Sequence, residues 1–289
     1  MQCARIVGHT LGLISGAAVL AAAQSASSQP DALDLLKNVE ATYSTMGTYS
    51  ARSTNLIEMN GANLQNKMEM SMTIAADSSG RFRMESKGMM GMLMVFDGST
   101  MWIYMPQTNQ YSKVPHEQVL AAGTPEGSVA VHSEGAMAMF GSFANPFHIF
   151  RSLAANLKEA KVLRSEKLHV NGSDVDCWVV SVEYESPTGP PVGQPSQTHS
   201  DQTADFEPAP TTMLWVDKTR YLVYEVDSTS KMTMPGANEP MDIRNTTKFD
   251  NVTVDEPISP DVFTFTPPPG ATEMDTPKEV KRIKELKKE

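Results

Sequence analysis

From Lys67 to Ile74 the chain alternates polar and apolar side chains without a break. Met68, Met70, Met72 and Ile74 fall on one side, and Lys67, Glu69, Ser71 and Thr73 on the other. Successive side chains of an extended strand point to opposite faces, so this period of two specifies a strand buried on one face only. The same period returns along most of the chain. Tyr49 to Met59 reads as a strand, and Arg81-Phe82-Arg83-Met84-Glu85 alternates after the turn Asp77-Ser78-Ser79-Gly80. Met89 to Phe96 is a nearly continuous apolar strand that runs into the hairpin signal Asp97-Gly98. Ala160 to Val170 and Asp174 to Tyr184 flank the turn Asn171-Gly172, and strand patterns continue at Thr211 to Val216, Tyr221 to Met232 and Met241 to Val254. The expected fold is mostly β.

Helical rhythm is confined to a few segments. Leu35, Leu36, Val39 and Tyr43 recur at steps of three and four between Asp31 and Tyr43, with Asp34, Lys37 and Glu40 on the other face. Midway, His116 to Ala122, Ser133 to Phe143 and Pro146 to Leu157 read as helices, the last with Asn145 as its cap and Pro146 in its first turn. Pro187 to Pro210 is rich in Pro, Gly, Ser, Thr and Gln and has almost no aliphatic residues, so it reads as a flexible loop within the sheet.

The amino-terminal segment has the layout of a secretory leader. Arg5 is the positive flank, Leu11 to Ala22 the apolar core, and Ala21-Ala22-Ala23 an A-x-A site with cleavage expected before Gln24. That core is shorter than the ~20 residues a spanning helix needs. The expectation is a signal peptide over 1–23, one domain over 24–275, and a basic helical tail over 276–289. The tail opens on the capping box Thr276-Pro277-Lys278-Glu279 and carries Lys278, Lys281, Arg282, Lys284, Lys287 and Lys288. Glu279, Glu285 and Glu289 interrupt those charges, which favours a solvated tail over a membrane-binding one.

A formal net charge of −10 argues against a nucleic-acid partner, which needs a concentrated basic surface. Cys3 leaves with the leader, so Cys177 has no intramolecular partner and is expected to pack as a small apolar residue.

Two blocks carry more specific information. Asp97 to Gln110 reads as a tight turn, a strand with Trp102 and Tyr104 on one face, and a second turn. Far downstream, Phe263-Thr264-Phe265-Thr266-Pro267-Pro268-Pro269-Gly270-Ala271 closes the folded part, its prolines preventing further strand pairing. In this order, and behind a leader, they resemble the periplasmic outer-membrane lipoprotein carriers of the LolA family, with LolB and RseB as relatives. The resemblance runs from about Asp31 to about Met274. It implies an incomplete antiparallel β-barrel of roughly eleven strands with an amino-terminal helix and a helical lid. It also implies a soluble periplasmic monomer without catalysis or cofactor. Such a carrier takes acylated lipoproteins or lipids as cargo and membrane-bound donor and acceptor proteins as partners. Carriers place an arginine and a proline just before the Phe82-like position, and Ser78-Ser79 stand there in this chain.

Within that frame the 20 methionines suggest a binding surface. An unbranched, polarizable side chain adapts to irregular apolar partners such as acyl chains. The expected lining is Met68, Met70, Met72, Met84, Leu93, Met101 and Ile103, with Phe140, Phe143, Phe147 and Phe150 as lid residues. The pattern leaves open which face of each strand is concave.

Three rivals remain. Met68-Glu69-Met70, Met70-Ser71-Met72, Met137-Ala138-Met139 and Met232-Thr233-Met234 are Met-x-Met units, and thioethers suit Cu(I), so a periplasmic copper-binding protein is one alternative. An RseB-like envelope-stress sensor is another. An enzyme has the least support. His116-Glu117 begins a zinc-protease motif, but Leu120 stands where its second histidine belongs, and His132, His148, His169 and His199 are scattered.

Overall fold

The computed structural model describes residues 29–61, 65–87, 91–115, 150–155, 157–184, 205–207, 212–233 and 239–274. Helix α1 spans Ala32–Thr45, and Asp31 caps it by accepting a hydrogen bond from the Asp34 backbone N–H at 3.0 Å. Its apolar stripe of Leu35, Leu36, Val39 and Tyr43 is buried, as the three-and-four spacing predicts.

The strands are β1 (Thr48–Asn60), β2 (Gln65–Asp77), β3 (Phe82–Ser86), β4 (Met92–Phe96), β5 (Thr100–Met105), β6 (Gln110–Pro115), β7 (Leu157–Val170), β8 (Ser173–Tyr184), β9 (Asp205–Glu207), β10 (Thr212–Asp217), β11 (Val223–Thr233), β12 (Met241–Val254) and β13 (Thr272–Glu273). They form one 13-stranded sheet in the order β13-β6-β5-β4-β3-β2-β1-β12-β11-β10-β8-β7, with β9 paired to β11. Every pairing is antiparallel except that of β13 with β6. The two ends of the order, β13 and β7, are not paired to each other, so the sheet curls around a core but stays open, as the incomplete-barrel expectation required.

The turns follow their sequences. Asp77 accepts hydrogen bonds at Oδ1 from the backbone N–H of Ser79 and Arg81 and from the Ser79 hydroxyl, which fixes the β2–β3 reversal. Asp97 does the same for Ser99 and Thr100 between β4 and β5. Asn171 and Gly172 both have positive φ, 54° and 77°, the backbone that a two-residue hairpin between β7 and β8 requires.

Two halves of the sheet meet at β1 and β12, which pair along nearly their whole length. One face of the sheet carries the core. Tyr49 on that face lies 5.9 Å from the Tyr43 ring of α1, and the Tyr43 hydroxyl accepts a hydrogen bond from the Val223 N–H at 3.2 Å. Segment 150–155 packs beside the helix. The Arg151 Nε donates to the Tyr43 carbonyl at 2.9 Å, the Ala154 N–H donates to Glu40 at 2.7 Å, and the Tyr184 hydroxyl donates to the Leu153 carbonyl at 3.0 Å.

Three differences from the sequence reading stand out. Among the described residues the strands number 13 where roughly eleven were expected, because Asp205–Glu207 and Thr272–Glu273 add short pairings that periodicity over so few residues cannot reveal. The first of these lies inside the stretch read as a loop and pairs with Lys231 to Thr233. The helix expected over Pro146 to Leu157 does not extend through its second half: 150–155 are turns and β7 begins at Leu157. Phe150 and Leu153 are apolar there because they plug the core beside α1, a role that needs burial but no helical period. The helices expected over His116 to Ala122 and Ser133 to Phe143, and the basic tail, lie outside the described residues.

Candidate functional site: the methionine face

Register fixes which side chains share the core face. Met72 pairs with Ser86, Ile74 with Met84 and Ala76 with Phe82. Met84 pairs in turn with Met94, and Met94 with Ile103, while Phe96 pairs with Met101. Residues directly opposite in an antiparallel pair point to the same side. Met70, Met72, Met84, Met94, Ile103 and Met101 therefore form one continuous sector across β2 to β5. All but Met70 are buried, and Met70 packs against the same cluster as a partly buried residue. Met68, two residues before Met70, lies on the same face toward the β1–β2 end and is half-buried.

Six of the seven expected lining residues are thus brought together: Met68, Met70, Met72, Met84, Met101 and Ile103. Leu93 is not. It pairs with Glu85 and Tyr104, on the opposite face of the sheet. The reason lies in the carboxy-terminal segment, which covers the outer face of this corner. Phe263 is buried beside β3 with the Arg81 guanidinium 4.8 Å over its ring, and Phe265 lies 5.6 Å from both Trp102 and Tyr104. Val95, on the outer face of β4, is fully buried. Strand β4 is consequently apolar on both sides and shows no alternation, so sequence alone could not tell Leu93 from its neighbours. Met92 and Met94 occupy the inner positions. The alternation of β3 carried across the hairpin would have identified them.

Of the expected lid residues, Phe140, Phe143 and Phe147 lie outside the described residues. Phe150 is buried among aromatic rings, 4.9 Å from Tyr43 and 5.9 Å from Phe249.

The core face changes character at the join between halves. Ser53 pairs with Met72 and Phe249, and Asn55 pairs with Met70 and Thr247, so two polar side chains border the methionines directly. Asn55 Nδ2 donates to Asn245 Oδ1 at 2.6 Å and to Thr247 Oγ1 at 2.8 Å. Nothing in the composition distinguished these positions from the polar outer residues of β1.

Charge is carried on the outer face. Asp227 is buried and accepts from Arg244 Nη2 at 2.6 Å and from the Thr246 hydroxyl, and Glu225 pairs with Lys248 at 3.5 Å. Burial raises the Glu225 carboxyl above the ordinary range, and Lys248 acts against that shift. Cys177 is fully buried, and burial together with the nearby Asp217 and Asp176 pushes its thiol up to about 12. It is a packed apolar group at neutral pH, because a protonated, inaccessible thiol is not a nucleophile. Among the described residues no group of three His, Cys, Asp or Glu side chains is placed to hold a metal ion, and no helix is long and apolar enough to cross a membrane.

No family model and no curated protein matches the chain. Solved structures similar to this chain include a LolA superfamily protein, MucB and an uncharacterized conserved protein, each at 15% identity or below. A LolA superfamily protein from Nitrosomonas europaea is 10% identical, with 82% of this chain and 99% of that one covered and a TM-score of 0.32. MucB of Pseudomonas aeruginosa, in its complex with MucA, is 15% identical, with 82% of this chain and 62% of that one covered and a TM-score of 0.38. An uncharacterized conserved protein from Thermus thermophilus is 11% identical over 83% of this chain and 96% of its own, with a TM-score of 0.41.

Proposed function

We propose that this protein is a periplasmic carrier. It holds the acyl chains of lipoproteins or lipids against its methionine face and passes them toward the outer membrane. It acts by binding and not by catalysis. The observation that carries this reading is the co-facial array Met70, Met72, Met84, Met94, Met101 and Ile103 on four adjacent strands of a sheet that does not close. Burying a methylene is worth roughly 0.8 kcal/mol, so even part of a long acyl chain supplies enough free energy for firm, reversible holding. Methionine suits that task better than branched residues, since its thioether re-packs around chains of different shape. An open sheet also leaves a route for cargo that a closed barrel of this size would lack.

The test is displacement of a fluorescent acyl probe from the full chain and from Met70→Glu, with Ser71→Glu as a control. Met70 is on the inner face at the border of the array, and Ser71 is exposed on the other face. A carrier of this kind loses at least tenfold in probe affinity with Met70→Glu, as expected for a charge placed without a partner in an apolar site, and keeps it with Ser71→Glu. Equal affinity in all three proteins rejects the assignment.

A further inference from the structure

We infer that Ser53 and Asn55 form a polar subsite on the inner face that receives the neutral, amide-type linkage of an acylated ligand; this rests on the acyl-binding reading of the neighbouring methionines.

Both side chains are buried to an unusual degree for their type, with relative exposures of 1% and 2%. Both also carry an atom without a hydrogen-bond partner: the Ser53 hydroxyl and the Asn55 carbonyl oxygen. Buried polar groups in folded proteins are nearly always paired, so two orphans two residues apart on one strand face call for an explanation. The amide nitrogen of Asn55 is fully engaged by Asn245 and Thr247, which locks the side chain so that its oxygen is the remaining free group. The hydroxyl of Ser53 can donate or accept.

The position of the pair specifies the ligand. Met72 and Phe249 flank Ser53 in register, and Met70 and Thr247 flank Asn55. An acyl chain lying on Met70, Met72, Met84 and Met94 would therefore bring its first polar atoms to this point. None of the flanking residues is charged, so an ionised headgroup would be desolvated here without compensation. A neutral group with an N–H for Asn55 and an oxygen for Ser53 matches both orphans. Residues two apart on a strand are separated by roughly 7 Å, a distance that one amide N–H and C=O can bridge with a hydrogen bond at either end. A simple ester offers no donor and leaves the Asn55 oxygen unpaired.

The experiment compares palmitamide with methyl palmitate as competitors for a fluorescent acyl probe on the full chain, on Ser53→Ala and on Asn55→Leu. The expected result is that the wild-type chain binds palmitamide about tenfold tighter, the factor for roughly one net hydrogen bond. The preference falls to within about twofold in Asn55→Leu, which removes the acceptor that only the amide N–H can use, whereas Ser53→Ala weakens both competitors alike, because the ester carbonyl also accepts from the Ser53 hydroxyl. Ser53→Ala should also leave the ligand-free melting temperature unchanged or raised, because it removes an unsatisfied buried hydroxyl. If the wild-type chain binds both competitors equally, the subsite is wrong and the acyl reading survives. A preference that persists in Asn55→Leu, or unchanged affinity for both competitors in Ser53→Ala, overturns it as well. If neither competitor binds, the acyl reading fails and the subsite falls with it. Should Asn55→Leu not fold, the wild-type preference and Ser53→Ala decide the matter.

Discussion

The ring of Phe265 lies 5.6 Å from the ring of Trp102, although the two are far apart in the chain. Tyr104, at 5.6 Å, and Tyr111, at 6.3 Å, complete an aromatic cradle around Phe265. The two sequence blocks that carry the carrier resemblance are therefore one structural unit: strands β5 and β6 supply the cradle and the carboxy-terminal segment supplies the plug. The segment then runs on to β13, where Thr272 and Glu273 pair in parallel with β6 and the Lys113 ammonium meets Glu273 at 3.2 Å.

That unit should hold the methionine sector in place from behind. Phe263→Ala, which empties a buried aromatic site, should destabilise the protein by about 3 kcal/mol, and Phe265→Ala, at a half-buried site, by about 1–2 kcal/mol. In a double-mutant cycle with Trp102→Ala, Phe265→Ala should show a coupling of about 1 kcal/mol by urea denaturation, the size expected for an aromatic pair. Additive losses would mean that the rings are merely adjacent.

The β2–β3 reversal should be sensitive to acid. Burial of Asp77 tends to raise its carboxyl, but hydrogen bonds from Ser79 and Arg81 and the Arg81 charge outweigh it, and the carboxyl lies below the ordinary range. A group held low in the folded state contributes stability that is fully present above its unfolded value, about 3.9, and is lost as pH falls through the folded value. The melting temperature should thus decline as pH drops below about 4. Asp77→Asn should melt lower at neutral pH and show a shallower acid decline. Parallel pH profiles for the two proteins would remove Asp77 from the account.

On the outer face, Asp227 is almost wholly buried while its partner Arg244 is half exposed. Cutting the arginine strands a desolvated carboxylate. Arg244→Ala should cost about 2 kcal/mol, less than a fully buried pair because water reaches the guanidinium side. Replacing both residues with apolar side chains of similar size should recover part of that loss, measured by chemical denaturation.

Cys177 should resist alkylation by iodoacetamide at pH 8 in the native protein and react readily in denaturant, since its thiol is buried and pushed up to about 12. Rapid native labelling, followed by mass spectrometry, would show that β8 opens far more easily than its fully buried Val179 and Val180 imply.

How far the sequence reached depends on the local pattern. β2 was legible because only one of its faces is buried, so Met68 through Ile74 alternate cleanly and the inner residues declare themselves. β4 is not, because its outer face is also covered, with Val95 fully buried; with both faces apolar the period vanishes, and Leu93 on the outer face reads like its inner neighbours. Helix α1 and the Asn171-Gly172 turn were readable from local chemistry alone. Ser53 and Asn55 were invisible, because two polar residues in a strand look alike whether they face water or the core; only the register of β1 against β2 and β12 turns them inward.

The most direct test of the central claim is native mass spectrometry of the protein purified gently from its own envelope, alongside Met70→Glu. The account predicts an added mass of a lipid or an acylated peptide on the wild-type protein, lost in the variant. A wild-type protein that emerges empty, or that carries copper in place of an acyl ligand, would contradict it.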